Sequence, residues 1–293
     1  MDILGFLREQ AKIIDEHLAA LLPEPDPHVP QVVRAMRHSL QGGKRLRPVM
    51  LMKAGQTFGA APLSLLPAAC GIEMIHTATL IHDDLPCIDD SDLRRGRPTC
   101  HRAFDEATAL LAGDALIIAG FEALAQQAQT SPADRVARVL AEVAWFTGAQ
   151  GLIAGEAADI AAEAQPGSAE LLDHIHLHKT AALFQATVRA GAMLAGADEE
   201  GVDAIGEYGR CFGLAFQITD DVLDAVGTAE ELGKPAGADA QRAKATYPAV
   251  HGLECSRQVA AELVAAAQRQ AEKLPAEREF WQELVAFLIS RTA

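Results

Sequence analysis

The chain has little of several things, and each shortage narrows its class. Only 5% of its 293 residues are aromatic, and runs alternating Val, Ile, Thr or Tyr with polar residues are scarce. Both shortages argue against half-buried strands. The five cysteines (70, 87, 100, 211 and 255) are odd in number, dispersed and never in a C-x-x-C pair. Reduced thiols in a cytosolic protein are the simplest reading of that pattern. Basic residues are in deficit, 25 Lys and Arg against 40 Asp and Glu, for a net charge of −15. General binding to nucleic acid or to an anionic membrane surface is therefore not expected. An anionic substrate remains compatible, because a local Arg cluster or a metal reverses the sign.

The N-terminal stretch "MDILGFLREQAKIIDEHLAALL" is acidic and periodic, unlike a signal peptide. The most apolar region, 107–125, is interrupted by Asp114 and Glu122, so no transmembrane segment is expected. There is no repeat, low-complexity tail or linker.

What is present is alanine, leucine and long helical periodicity. With 49% hydrophobic residues, a large core is available, and Ala and Leu lose little entropy in helices. "SPADRVARVLAEVAWFTG" predicts a helix capped by Ser131, with Pro132 in the first turn and Asp134 three residues after the cap. A second predicted helix runs from near Ser168 to near Gly196. A third places Val202, Ile205, Phe212, Phe216 and Leu223 on one side. The expectation is an all-α, single-domain bundle of long helices covering residues 1–293.

Two aspartate clusters stand out. In "QITDDVLDAVG", Gln217, Asp220, Asp221 and Asp224 stand at i, i+3, i+4 and i+7. At about 100° per residue they form one stripe. Carboxylates so placed repel one another unless a cation or water separates them. A solvated acidic face is the plain alternative, since exposed like charges cost little. The other cluster lies in "LIHDDLPCIDDSDLRRGRPT". His76 and Asp83 share a helix face, with Thr79 and Leu80 a turn below Asp83 and Asp84 to the side. On a straight helix Asp89 would point away, but Pro86 ends or bends the helix and can return Asp89 towards Asp83. A capping loop is the plain alternative here. An EF-hand is disfavoured, because its Gly and terminal Glu are missing.

Oxygen ligands without a His/Cys set favour a hard cation such as Mg²⁺, which completes its shell with water and substrate phosphates. Arginines beside the acids then suit a diphosphate held by metal on one side and by cations on the other. "QGGKRLRP" puts Lys44, Arg45 and Arg47 behind two glycines that let backbone approach a phosphate, although it is not a P-loop. Lys179 and Thr180 lie in "HKTAALF", and Lys234 and Lys244 follow the second cluster. Histidines 174, 176 and 178 alternate and are dispersed around a helix, which rules against a metal site of their own.

"DDLPCIDDSDLRRGRPT" and "DDVLD" resemble the two aspartate-rich motifs of the trans-isoprenyl (polyprenyl) diphosphate synthases. "GGKRLRP", "HKT", "GLAFQITDD", "LGKPAGAD" and "KATYP" are similar to the accompanying motifs, in the family's order, from Gly42 to Tyr247. The longer first motif, D-D-x-x-x-x-D, is similar to the bacterial and plant type. "GLIAGEAADI" departs from the pattern, with Glu156 where the family usually has Gln.

The resemblance implies the isoprenoid synthase fold, a homodimer, and condensation of isopentenyl diphosphate with an allylic diphosphate (dimethylallyl, geranyl or farnesyl). It implies two or three Mg²⁺ ions on Asp83, Asp84 and Asp89 and on Asp220, Asp221 and Asp224. It also assigns Arg94, Lys179 and Lys234 to the allylic diphosphate, and Lys44, Arg47, His76 and Arg95 to isopentenyl diphosphate. Lys244 is a further substrate-binding candidate. Thr180 and Gln217 are candidates for oxygens facing the carbocation, and Arg291 is a C-terminal candidate.

In such enzymes the fourth and fifth residues before the first motif often govern product length. Here they are Thr79 and Ala78, neither of them aromatic. An open floor implies a C20 product, geranylgeranyl diphosphate. The alternative is a C15 farnesyl product, with Ile118 or Phe121 closing the pocket. A non-catalytic partner subunit would show eroded aspartate motifs. A class I terpene cyclase would show a different second metal motif.

Overall fold

The computed structural model describes residues 2–162, 168–226 and 246–290. Helix α1 (Ile3–Leu21) starts where the Asp2 carboxylate accepts from the Gly5 amide at 2.9 Å, an N-cap satisfying an otherwise orphaned donor. Helix α2 (Pro30–Ser39) starts on proline, and α3 (Leu46–Thr57) follows the Gly-Gly turn. Helix α4 (Leu66–Asp83) leads into the first aspartate cluster. Strands β1 (Leu93–Arg94) and β2 (Arg97–Pro98) then pair antiparallel, Leu93 opposite Pro98. Their turn is Arg95–Gly96, with φ of 55° and 73°, the double positive φ of a tight hairpin. Next come α5 (Cys100–Ala103), α6 (Glu106–Gln126), α7 (Ala133–Thr147) and α8 (Leu152–Ala162). Helix α9 (Ala169–Ile175) passes through a π-helical turn (His176–Ala181) into α10 (Ala182–Ala195). Helices α11 (Glu199–Val226), α12 (Tyr247–His251), α13 (Leu253–Glu272) and α14 (Arg278–Ser290) complete the described chain. The all-α expectation holds.

Contacts group the chain into two compact units, one of residues 2–52 and 61–140, the other of 53–60 and 141 onward. In the first, α4 is a core helix, packed most extensively against α6 and also against α1. In the second, α10 and α13 flank α11. Its core holds Phe184, Tyr208, Phe212 and Trp281, all fully buried, each worth about 1.5–3 kcal/mol of transfer free energy. The polar tips are satisfied: Tyr208 donates to the Trp281 carbonyl at 2.7 Å, and Trp281 Nε1 donates to Thr57 Oγ1 at 2.9 Å.

Several local expectations are met. Ser168 caps α9 by accepting from Leu171 at 3.1 Å, and Gly196 ends α10 with φ 85°. Val202, Ile205 and Phe212 are buried along α11, and Phe216 and Leu223 are half-buried. One expectation needs correction. Helix α7 starts at Ala133, and the Ser131 hydroxyl accepts instead from the Gln127 side chain at 3.2 Å. Two helical stretches, Pro62–Asp83 and Glu106–Gln129, are long and apolar enough to meet the length and composition test for a membrane span. The first is 67% buried, as suits a core helix. The second buries one face through Ala109, Leu116 and Leu124 but exposes Leu110, Leu111 and Ile118.

Candidate active site

The first aspartate cluster is built by chain reversal. Helix α4 stops at Asp83 with Asp84 as its C-cap, three residues before Pro86, which cannot supply an interior helix donor. The chain turns back so that the Asp89 amide donates to the Asp83 carbonyl at 2.9 Å, and Asp89 returns to Asp83 as expected. Arg94, leaving β1, then reaches into the cluster. Its Nε lies 2.8 Å from both oxygens of Asp84, and its Nη2 is 3.3 Å from Asp83 Oδ2. Burial raises the Asp84 pKa above the usual carboxylate range, against the opposing pull of Arg94. Burial alone would lower the Arg94 pKa, but the bond to Asp84 and the charges of Asp84, Asp83 and Asp89 outweigh it and raise the value.

Lys44, Arg47, His76 and Arg95 sit around the Gly-Gly turn. Gly42 and Gly43 have φ of 77° and 98°, a region open to glycine. A methyl group at Gly43 would stand 2.7 Å from Arg95 Cζ, so the second glycine also makes room for that guanidinium. Arg95 Nη1 donates to the Gly42 carbonyl at 2.9 Å, and its Nη2 lies 3.9 Å from Glu73. Lys44 is exposed. His76 Nε2 lies 3.2 Å from Arg47 Nη1.

The second residue of "KRLR" has a different task. Arg45 is 2% exposed, at φ 49°. It bonds to Asp15 and Glu73, each at 2.6 Å, and to the Leu40 carbonyl. Sequence reasoning missed this buried cluster, and it missed the hairpin anchor. His38 Nε2 donates to the Pro98 carbonyl at 2.9 Å, and its Nδ1 accepts from Arg97 at 3.2 Å.

In the second unit, Lys179 and Thr180 sit on the π-helical turn. Helix α8 comes close enough that a methyl group at Gly155 would stand 2.2 Å from the Lys179 backbone nitrogen. That approach sets the Lys179 ammonium 2.9 Å from Glu156 and 2.7 Å from Asp159. Asp159 was not foreseen, although it stands three residues after Glu156 on the same helix face. Thr180 Oγ1 donates to Gln217 Oε1 at 2.8 Å, and Gln217 Nε2 donates to Asp221 Oδ1 at 2.9 Å. Asp221 Oδ2 accepts from the Tyr247 amide at 2.8 Å and lies 3.3 Å from His176 Nε2. Asp220 is half-buried and Asp224 buried on the same helix. His174 and His178 lie against each other with tilted rings, centroids 4.0 Å apart, whereas His176 is buried. Lys234, Lys244 and Arg291 lie outside the described residues.

The two pocket-floor positions differ. Ala78 is 0% exposed, whereas Thr79 is half-buried and bonds through its hydroxyl to the His76 carbonyl at 2.8 Å. Ile118 is 69% exposed and borders an open cleft with Val33 and Met36 of its own unit. Phe121 is half-buried.

Among the described residues, no group of three or more His, Cys, Asp or Glu side chains is gathered tightly enough to hold a metal ion. The candidate ligands of the first motif, Asp83, Asp84 and Asp89, are all carboxylates, the donor type that suits Mg²⁺.

The fold is shared with solved structures. A geranylgeranyl pyrophosphate synthetase from Pyrococcus horikoshii superposes with TM-score 0.91 at 30% identity, covering 98% of each chain. An apo FPP/GFPP synthase from Zymomonas mobilis gives 0.88 at 32% identity, covering 98% of this chain and 99% of that one. A Helicobacter pylori geranyltransferase complexed with magnesium and isoprenyl diphosphate gives 0.84 at 30%, covering 99% and 97%. These likenesses define an all-α isoprenoid synthase, an enzyme of the trans-prenyltransferase class.

The family follows from sequence. The Polyprenyl synthetase model matches residues 29–284, and the chain belongs to that family. Among its relatives are the heterodimeric geranylgeranyl pyrophosphate synthase large subunit 1, chloroplastic, of Arabidopsis thaliana, and the geranylgeranyl pyrophosphate synthase, chloroplastic, of Catharanthus roseus. The first is 43% identical over 89% of this chain and 72% of that protein, the second 41% over 94% and 78%.

Proposed function

We propose that the chain joins isopentenyl diphosphate to an allylic diphosphate and makes geranylgeranyl diphosphate, with both aspartate clusters serving the allylic diphosphate. The observation that supports this reading is the turn at the end of α4 that brings the Asp89 amide to the Asp83 carbonyl, so that two of the candidate carboxylates leave neighbouring backbone. Asp83 and Asp89, with Asp84, hold magnesium there, and Asp220 and Asp224 hold more on α11, for two or three ions. Bound magnesium supplies Lewis-acid neutralisation of the leaving pyrophosphate. Lys179, with Lys234, binds the allylic diphosphate, and Lys244 contributes a further cation. Arg94 orients the first cluster through Asp83 and Asp84 and contacts the same diphosphate.

Lys44, Arg47, His76 and Arg95 bind isopentenyl diphosphate, whose charge these cations neutralise without a metal. Thr180 and Gln217 present oxygen dipoles to the cation formed on ionisation, in a site that excludes water. The released pyrophosphate accepts the final proton.

The relatives' names support the C20 product, as does the absence of an aromatic residue at Ala78 and Thr79. A second copy covers the exposed Leu110, Leu111 and Ile118 of α6. For this chain the dispersed free thiols support a cytoplasmic reading.

The deciding experiment is product analysis by mass spectrometry, with Mg²⁺, isopentenyl diphosphate and each allylic primer in turn. A C20 product is expected. A C15 stop would keep the chemistry and move the floor. No product from any primer would overturn the reading in favour of a non-catalytic subunit.

A further inference from the structure

We propose that Asp221 is a positioning residue rather than a metal ligand. With His176 behind it, Asp221 fixes the Gln217 amide and, through it, the direction of the Thr180 hydroxyl. The inference deepens the reading above and rests on its assignment of Thr180 and Gln217 to the cation.

Both oxygens of Asp221 are engaged within its own unit. Oδ1 accepts from Gln217 Nε2 at 2.9 Å, and Oδ2 accepts from the Tyr247 amide at 2.8 Å with His176 Nε2 3.3 Å away. The residue is 5% exposed, as is His176. Three of the roughly four acceptor sites of the carboxylate therefore face protein groups, which leaves Asp221 little to offer an ion, and withdrawing Oδ2 would leave a buried backbone N–H without an acceptor.

The engagement also has a direction. An ionised carboxylate only accepts, so Gln217 must turn its NH₂ towards Asp221 and its carbonyl away. That carbonyl meets Thr180 Oγ1 at 2.8 Å, and a carbonyl only accepts, so Thr180 must donate. With its proton committed to Gln217, the hydroxyl turns its lone pairs elsewhere. A preorganised oxygen of this kind favours developing positive charge without reorienting during the reaction. His176, stacked on Tyr247 with centroids 5.6 Å apart, holds the far side of the carboxylate. The π-helical turn supplies both ends of the relay, His176 at its start and Thr180 near its end.

The test uses Asp221→Asn, Asp220→Asn and Thr180→Val in the full chain. Asparagine offers an NH₂ as well as an oxygen, so the Gln217 amide loses its single orientation. Asp221→Asn is expected to lower kcat about tenfold or more, with both KM values and the Mg²⁺ requirement near wild type. It should also keep the rise in melting temperature produced by Mg²⁺ with inorganic pyrophosphate. In a Thr180→Val background it should cost little further, because the relay then has no end group. Loss of the melting shift in Asp221→Asn, or full additivity with Thr180→Val, overturns the proposal. Retention of the shift in Asp220→Asn would instead overturn the metal reading of the second cluster. Should Asp221→Asn fail to fold, His176→Leu and His176→Gln read the same relay. Loss of kcat in the first and recovery in the second, which keeps a donor, are expected. Equal kcat in the two overturns it.

Discussion

Arg47 and His76 meet at 3.2 Å, Nη1 to Nε2, and the imidazole is the accepting partner because a guanidinium has no acceptor. Burial, then the charges of Arg47, Arg95, Arg94 and Arg45, hold the His76 pKa well below its ordinary 6.5. The folded chain therefore keeps His76 neutral where the unfolded chain protonates it. This contribution to stability is complete above the unfolded value and is lost as pH falls from 6.5 towards the folded one. His76→Gln is expected to flatten that decline, read as urea midpoints at about pH 7.5 and about pH 5. An unchanged decline would show that other groups carry it.

Asp83→Ala and Asp220→Ala should each lower kcat by about a thousandfold while leaving the far-ultraviolet circular dichroism helical. Turnover near wild type in either variant would break the two-cluster metal reading.

Arg95 rests its guanidinium against Gly43 and donates to the Gly42 carbonyl. Arg95→Lys keeps the charge but loses the planar fork. The KM for isopentenyl diphosphate should rise about tenfold, with the allylic KM unchanged. An equal rise in both would place Arg95 outside a dedicated isopentenyl site.

Lys179 is shared by Glu156 and Asp159, which compete with a diphosphate for the same ammonium. Glu156→Gln removes one of these charges at nearly constant shape. The allylic KM should fall about two- to fivefold, the worth of a partly exposed ion pair. Steady-state kinetics with varied allylic substrate would reveal an unchanged KM and so exclude the competition.

Tyr208→Phe deletes the bond to the Trp281 carbonyl and should cost about 1 kcal/mol of stability, with catalytic constants unchanged. Denaturant titration and a standard assay measure the two separately.

The sequence made some of this plain and hid the rest for physical reasons. The stripe from Gln217 to Asp224 was legible because one uninterrupted helix fixes its angles. The return of Asp89 was legible because proline leaves few continuations. The π-helical turn was not, since "HLHKTA" is helix-compatible and its close neighbour Gly155 lies on a different helix. Nor could spacing separate Arg45 from its neighbours Lys44 and Arg47. Its burial against Glu73 and Asp15 joins residues far apart in sequence. Asp221 reads in the sequence like Asp220, and only its buried partners tell them apart.

The short hairpin has a consequence for how this region can vary. Arg94 reaches the end of α4, Arg95 the Gly-Gly turn and Arg97 the helix α2. Three anchorages therefore depend on one strand register. Deleting or inserting a single residue between Leu93 and Pro98 would hand each arginine to the wrong partner at once. Related chains can exchange side chains here one at a time, but length in this stretch is a fixed quantity, and a gap in an alignment at this point would mark a protein that has rebuilt the whole corner.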